Sequence, residues 1–458
     1  MSEFHPIPNA DRMHRYDDEM TQLIVDYVED RLKMHDTTLD FPGDRQRIME
    51  AVDGLITPEG HDPRKVLDIY EHILATAVVS ADSPRFFAFI PAAPTKASLL
   101  MDMIVSASSL QGCSWLEAAG AVVAENQALR FLADLAGLPE TSGGTFVSGG
   151  SAGNLSALVV ARDTARLRLG RERRLRVAVS DQAHSSIRNA LNIIDCDALI
   201  VPTVNGRHTG EMLRATLEAD SDPESVVAVV ATAGTTNAGI IDDLAGISAV
   251  ARARQMWMHV DAAYGGAGLL SDRVRPLYDG IEFADSIVMD PHKWWFAPFD
   301  SGALLYRDPV RAKAVHTQDA SYLDVIHADV TDLNPSDLAY HLTRRARGLA
   351  LWFSLAVYGT DAYRDAVNAA LDITQYTAER IRELPYTELV LDPTLSVLLF
   401  RRLGWGPEEY TAWSDELIAN QTAFITPSAW QGETVGRFAF LHPSTTPEMV
   451  DAVLATLA

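Results

Sequence analysis

Lys293 lies in Asp290-Pro291-His292-Lys293-Trp294-Trp295, between a short apolar run at 285–289 and a pair of tryptophans. An amine beside aromatic walls sheds part of its hydration, which lowers its pKa and makes it a better nucleophile toward an aldehyde. Upstream, His259-Val260-Asp261-Ala262-Ala263-Tyr264 closes an apolar strand on a carboxylate. Such a carboxylate is often only a helix cap or loop acceptor; its chemical reading is an ion pair with a protonated ring nitrogen. Earlier still, Ser148-Gly149-Gly150-Ser151-Ala152-Gly153-Asn154 is a glycine-rich turn that opens a helix. Ser151, Ala152, Gly153 and Asn154 fall where first-turn amides, unpaired and at the positive end of the helix dipole, receive a phosphate. Glycines let the chain approach such a group closely. The pattern matches neither the P-loop nor the dinucleotide fingerprint, and on its own it decides little.

Further polar groups stand at other expected strand ends. His292 is placed to donate to a phosphate oxygen, or equally to be a packed histidine. His184, in Asp181-Gln182-Ala183-His184-Ser185-Ser186, can lie flat on an aromatic ring with a nitrogen near a carboxylate. Thr235 and Thr236 close the longest β-branched run with hydroxyls that reach ring or phosphate oxygens. Each has an ordinary loop reading. Their convergence on strand ends raises the chemical one, because open α/β sheets bind ligands there. An aldehyde-binding amine, a carboxylate for a ring nitrogen and a phosphate cradle are together what pyridoxal 5'-phosphate (PLP) asks of a protein.

The elements that must position these groups are legible in outline. Met20, Leu23, Ile24, Tyr27, Val28 and Leu32 recur at helical spacing, so an amphipathic helix opens the chain at 15–35, and a second runs over 63–77. Residues 83–91, aromatic and flanked by prolines, suit a wall-forming loop. A helix over 117–137 ends on glycine. Strands at 145–147, 176–180, 226–231, 256–260, 286–289 and 302–306 alternate with helices, including one over 154–167. That alternation predicts an α/β fold with a mainly parallel sheet covered on both sides. From residue 345 the texture changes to two long helices, strands near 387–391 and 397–401, and a last helix from Pro447, a smaller α+β unit.

The chain has 458 residues, 47% hydrophobic and 22% charged, enough for a large core and more than one domain. Its formal net charge of −24 argues against a nucleic-acid partner. Only Cys113 and Cys196 are present, which points to a reducing compartment and no disulfide framework. Residues 1–20 lack the apolar core of a secretory signal, and no run approaches the roughly 20 apolar residues of a spanning helix. The expectation is a cytoplasmic enzyme without membrane contact, and no metal site is expected.

These motifs, with Arg85-Phe86-Phe87-Ala88-Phe89, Ala233-Gly234-Thr235-Thr236 and Phe283-Ala284-Asp285-Ser286, occur in an order that resembles the group II PLP-dependent decarboxylases, most closely the aromatic-L-amino-acid decarboxylases of PLP fold type I. The resemblance runs from about residue 10 to the end. It implies an aspartate-aminotransferase-like large domain with a mainly parallel seven-stranded sheet, an N-terminal helical segment and a small C-terminal domain, divided as 1–95, 96–345 and 346–458. It implies that Lys293 bonds the cofactor aldehyde, that Asp261 pairs with the pyridine nitrogen and that His184 stacks on the ring. Ser151, Ala152, Gly153, Asp290 and His292 would surround the phosphate, with Asn154, Thr236 and Ala263 also among the cofactor-binding residues. Some relatives carry Asn at the Asp290 position, and an aspartate there would repel a phosphate. Tyr322 falls where the family keeps a tyrosine that returns a proton to Cα, which favours amine over aldehyde as product. The first segment would serve dimerisation, giving a homodimer with shared sites to which the neighbour contributes Tyr322 and Cys113.

The expected substrate wall comprises Phe86, Phe89, Ile90, Ala92, Gln111, Cys113, Trp115 and Thr343. By the resemblance, Gln111 to Trp115 stand where animal aromatic decarboxylases carry larger apolar residues, and Ala92 replaces a threonine that usually faces the substrate; the changes together make the pocket more polar on one wall. The function so read is decarboxylation of an L-amino acid, most of all an aromatic one. A non-aromatic substrate, diamino or acidic, shares every cofactor residue. An aldehyde-forming decarboxylase is a further rival, as is a PLP aminotransferase, for which Arg437 would be the second carboxylate clamp. A PLP-binding scaffold without activity fits poorly with intact Lys293, Asp261, His184 and Tyr322.

Overall fold

The computed structural model describes residues 10–90, 93–318 and 333–458. Residues 91–92 and 319–332 hold Ala92 and Tyr322, so both lie outside the described residues. Contacts divide the chain at Ser80/Ala81. Among the described residues the first unit holds the α-helices α1 (Asp18–Lys33), α2 (Arg45–Val52) and α3 (Pro63–Ile69), each capped by an aspartate that accepts a first-turn amide: Asp17, Asp44 and Asp62. After α3 the helix widens at Tyr70–Leu74 and tightens at Ala75–Ala77, so the single helix expected over 63–77 is three short turns of different pitch.

The second unit opens with α4 (Lys96–Ala107) and α5 (Trp115–Leu135). Next come β1 (Gly143–Val147), α6 (Gly150–Leu169), β2 (Arg176–Ser180), α7 (Ser185–Ile193), β3 (Asp197–Val201), α8 (Gly210–Ala219), β4 (Val226–Thr232), α9 (Leu244–Ala253), β5 (Trp257–Asp261), β6 (Ser286–Met289), β7 (Gly302–Tyr306) and α10 (Pro309–His316). The seven strands form one sheet in the order β1-β7-β6-β5-β4-β2-β3. β7 runs antiparallel to both of its neighbours and the other pairings are parallel, so the expected mainly parallel seven-stranded sheet is present.

β4, Val-Val-Ala-Val-Val-Ala-Thr, is buried along its whole length, as a central strand with covered faces must be. Side chains alternate between two cores. Val229, Ala231, Met258 and Val260 enter one, while Val227, Val230 and Trp257 enter the other, beneath α6 and α7. Because β1 and β6 both run opposite to β7, the carboxyl ends of β1, β2, β4, β5 and β6 share one edge. That edge receives the glycine turn, His184, Thr236, Asp261 and Asp290.

The remainder carries α11 (Leu349–Glu383), β8 (Thr387–Leu389), β9 (Val397–Arg402), α12 (Pro407–Ala419), β10 (Ser428–Trp430), β11 (Glu433–Ala439) and α13 (Pro447–Ala455). α11 is two helical segments meeting at Gly359, whose φ of +76° is open to glycine at little cost. An antiparallel sheet ordered β10-β11-β9-β8 packs Leu398, Phe400 and Phe438 against Trp413, Val453 and Phe87. No helix among the described residues is long and apolar enough to cross a membrane.

Candidate active site

The sheet edge opens into a cavity of about 230 Å3. Its lining includes Ser151, Ala152, Asn154, His184, Thr236, Asp261, Ala263, Asp290, His292 and Lys293, ten of the eleven residues expected to hold the cofactor or act on it within the described chain. The eleventh, Gly153, is turned away. A Cβ built on it would lie 2.6 Å from Val288 Cγ2, so Gly153 lets α6 settle on β6. Ser148, Gly149, Gly150, Ser186, Thr232, Gly234 and Tyr264 also line the cavity and were not singled out from the sequence as contacts.

At one end the turn after β1 leaves α6 without a side-chain cap. Ala152 and Gly153 donate back to Gly149 O at 3.0 and 3.1 Å, so the amides of Gly150 and Ser151 are the ones left for an anion. Gly149 has φ of +149°, and a Cβ there would lie 2.9 Å from His292 Cε1. A Cβ on Gly150 would meet Asp290 Oδ2 at 3.0 Å and Ala263 at 3.2 Å. His292 Nδ1 accepts from Ser301 N at 3.0 Å, and burial pushes its pKa below the usual value. The neutral ring therefore carries its hydrogen on Nε2. A cradle that only glycine can line, two open amides and an imidazole N–H suit a phosphate.

Lys293 Nζ lies 2.9 Å from Asp290 Oδ2. Burial works against its charge, but Asp290 and then Asp261 outweigh it, so its pKa stands above that of a free lysine. The sequence reading expected the reverse. It weighed the aromatic neighbours as desolvating walls and missed that Asp290, three residues back across the turn after β6, faces the amine. Asp290 itself is buried with Oδ1 lacking a hydrogen-bond partner. Its Oδ2 also borders the cradle, beside Gly150 and 3.6 Å from His292 Nε2, so the Lys293 ammonium is the charge that offsets it there. Trp294 stacks on Tyr264 at 5.5 Å and Trp295 packs edge-on to Phe131, both inside the core.

At the other end Asp261 is buried, with Oδ1 accepting from Ala263 N at 3.1 Å and Oδ2 from Asn154 Nδ2 at 3.0 Å. The Asn154 side chain thus serves the carboxylate, although it was placed with the phosphate group on sequence grounds. His184 caps α7, its Nδ1 held 2.8 Å from Ser186 Oγ. Thr235 is a turn residue whose Oγ1 accepts from Ile240 N. A carboxylate, a lysine and an anion cradle that line one cavity fit the ring nitrogen, aldehyde and phosphate of PLP.

Among the described residues, none of the expected substrate wall lines this cavity. Phe86, Phe89 and Phe424 form an aromatic cluster with centroids 5.0 to 6.4 Å apart, Ile90 packs on the main core, and Thr343 is exposed. Gln111, Cys113 and Ser114 all donate to the carboxylate of Glu117 at 2.7 Å, and Trp115 N donates to Asn334 Oδ1. Glu117 went unnoticed in the sequence; its three-residue spacing from Ser114, a capping pattern, was the available signal. Arg437 is 5% exposed and its guanidinium is committed to three main-chain carbonyls, those of Phe89, Thr236 and Asn237. It is not free to clamp a second substrate carboxylate.

Residues 47–403 match the family model of the pyridoxal-dependent decarboxylase conserved domain. An aromatic-L-amino-acid decarboxylase of Bacillus atrophaeus is 27% identical over 96% of this chain and 93% of its own length. An L-2,4-diaminobutyrate decarboxylase of Rhizobium meliloti (strain 1021) is 33% identical over 78% of this chain and 74% of its own. The structure of Oryza sativa TDC with PLP and tryptamine superposes with a TM-score of 0.89 at 25% identity, covering 99% of this chain and 98% of that one.

Proposed function

The chain belongs to the pyridoxal-dependent decarboxylases, enzymes that use PLP to remove CO2 from an amino acid, and from that premise we propose that its substrate is an aromatic L-amino acid, released as the amine. The observation that carries the chemistry is the gathering of Lys293, Asp261 and the uncapped N-terminus of α6 around one cavity at the sheet edge. The aromatic preference is supported by the Bacillus relative, an aromatic-L-amino-acid decarboxylase that matches 96% of this chain.

When bound, PLP supplies an aldehyde that bonds an amine and a cationic ring that draws electrons from the substrate Cα. Lys293 Nζ would hold that aldehyde, and Asp290 would keep the free amine charged and close. Gly150 N, Ser151 N and His292 Nε2 would bind the phosphate. Asp261, its two oxygens oriented by Ala263 N and Asn154 Nδ2, would keep a proton on the ring nitrogen. His184 would pack against the cofactor and offer Nε2 to the substrate carboxylate. Tyr322, outside the described residues, would supply the proton that Cα takes up in place of CO2. The working unit in this proposal is a cytoplasmic homodimer with shared sites, residues 96–345 carrying the cofactor and 1–95 joining the subunits.

A second reading has its own observation. Glu117 gathers three polar donors on the 111–117 segment, outside the Lys293 cavity; in a homodimer with shared sites the neighbour would bring that segment to the cavity, where a carboxylate suits the terminal ammonium of a diamino acid. The diaminobutyrate decarboxylase of Rhizobium meliloti supports it. The test is a panel of single L-amino acids with PLP, scored for CO2, amine, aldehyde and keto acid. Amine from tryptophan, tyrosine, phenylalanine or dihydroxyphenylalanine supports the first reading. Turnover of diaminobutyrate alone would replace it.

A further inference from the structure

Three alternate residues of β5, Trp257, His259 and Asp261, point to the α6 face of the sheet, while Met258 and Val260 enter the opposite core. In register beside His259 on β6 stands Ser286. Together with Asn154 from α6 these side chains form a continuous buried chain of hydrogen bonds. Trp257 Nε1 lies 2.8 Å from Ser286 Oγ, and Ser286 Oγ lies 2.8 Å from His259 Nδ1. His259 Nε2 lies 2.8 Å from Asn154 Oδ1. Asn154 Nδ2 then reaches both Asp261 Oδ2 and Ser186 Oγ at 3.0 Å, and Ser186 Oγ reaches His184 Nδ1 at 2.8 Å.

The direction of every bond follows from the donors and acceptors available. Turning the Asn154 amide over would set its carbonyl oxygen against the Asp261 carboxylate, so Nδ2 must face Asp261 and Oδ1 must face His259. Asn154 Oδ1 only accepts, so His259 Nε2 bears a hydrogen. The ring is fully buried, and burial holds its pKa at about 4 against the pull of Asp261, so it is neutral and Nδ1 is an acceptor. The Ser286 hydroxyl therefore donates to Nδ1, and its oxygen is left to accept from the indole of Trp257, which can only donate. At the other end the second hydrogen of Asn154 Nδ2 occupies Ser186 Oγ. The Ser186 hydroxyl then gives its own hydrogen to His184 Nδ1, which also accepts from Ser186 N at 3.2 Å. His184 Nδ1 bears no hydrogen.

We infer that Trp257, Ser286, His259, Asn154 and Ser186 are positioning residues that aim the Asp261 carboxylate and lock His184 in the tautomer with its hydrogen on Nε2. The inference rests on the roles proposed for Asp261 and His184. A one-directional chain leaves no degenerate arrangement in which His184 offers a lone pair to the cavity. The group that meets the substrate carboxylate is thereby an N–H donor. It also gives Asn154 a role that phosphate contact does not: a single amide joins the ring-nitrogen carboxylate to the ring-stacking histidine.

The test uses the full-length protein with 15N-labelled histidine, with and without PLP, read by long-range 1H–15N spectra. His184→Gln marks the His184 ring, and Ser286→Ala marks that of His259. Both rings are expected on Nε2 in the cofactor-free protein. Ser286→Ala removes one hydroxyl and adds no atom; His259 should keep its hydrogen on Nε2 against Asn154 Oδ1, its Nδ1 signal should shift as that nitrogen loses its donor, and PLP binding should weaken roughly tenfold, the cost of one buried unpaired acceptor. A hydrogen on Nδ1 of either ring in the wild type overturns the inference, and that result needs no variant of the chain to fold. Unchanged His259 signals and unchanged PLP affinity in Ser286→Ala also overturn it. A panel without CO2 release would sink the substrate reading and leave these spectra standing; the spectra can fail while CO2 release stands.

Discussion

Gly153→Ala probes how the phosphate cradle is seated. A methyl at that position would lie 2.6 Å from Val288 Cγ2 and 3.6 Å from Val147 Cγ2. Comfortable carbon contacts are about 3.5–4.0 Å, so the pair is roughly 1 Å too close. Val288 is β-branched and fully buried on a central strand, so it has no rotamer to retreat into, and α6 must lift instead. Overpacking of this kind costs about 1–3 kcal/mol, and alanine returns up to about 1 kcal/mol of helix propensity. The net loss is therefore about 1–2 kcal/mol by urea unfolding. Lifting α6 also displaces the open amides of Gly150 and Ser151 and pulls Asn154 from Asp261, so PLP affinity should fall about tenfold for each 1.4 kcal/mol lost. Val288→Ala opens the space that the new methyl fills. The double variant should then be more stable than the sum of the single changes by about 1–2 kcal/mol, and it should regain PLP affinity. Strict additivity together with an unchanged PLP dissociation constant would refute the seating of α6 on β6 as the device that places the cradle.

Other predictions concern committed or titrating groups. Arg437→Met strips the donor from three main-chain carbonyls and should lower the unfolding free energy measured in urea by about 1–3 kcal/mol without changing the product from amine to keto acid. A rise in KM alone, at unchanged stability, would instead mark Arg437 as a substrate clamp. Glu117→Gln should leave aromatic turnover within roughly threefold, whereas a roughly tenfold loss confined to diamino acids would favour the second reading. Burial holds His208 at about 4, against about 6.5 in the unfolded chain. The unfolded state alone binds that proton between those values, so this contribution to stability is complete above about pH 6.5 and is lost as pH falls toward 4. His208→Leu should accordingly gain about 2 kcal/mol relative to wild type on going from pH 8 to pH 5; equal differences at both pH values would contradict this.

The parts of the fold legible in the sequence are those with one dominant signal. The unbroken apolar run of β4 could only be a central strand, and the segments ending at Ser180, Asp261 and Met289 carry the same signature. β3 escaped notice because an edge strand buries only alternate residues, and Asp197-Ala-Leu-Ile-Val is too short for that alternation to stand out. The reversal of β7 is a matter of topology that its apolar composition does not encode. At the site, residue types and their spacing located Lys293, Asp261, His184 and the glycine turn. Pairings across the sheet stayed hidden. That Asn154 serves Asp261, that Asp290 raises the pKa of Lys293 and that Arg437 is spent on carbonyls each depend on residues 3 to 348 positions apart. Ala92 and Tyr322 lie outside the described residues, and the described residues of the substrate wall do not line the Lys293 cavity.

The central claim is that Lys293 is the amine that binds the cofactor aldehyde. Reducing the PLP-loaded protein with borohydride makes that link permanent, and peptide mass spectrometry then reads its position. The account predicts a pyridoxyl phosphate mass on the peptide containing Lys293 and on none of Lys33, Lys65, Lys96 or Lys313. A label on one of those four, or a protein that turns over substrate yet carries no label, would contradict it.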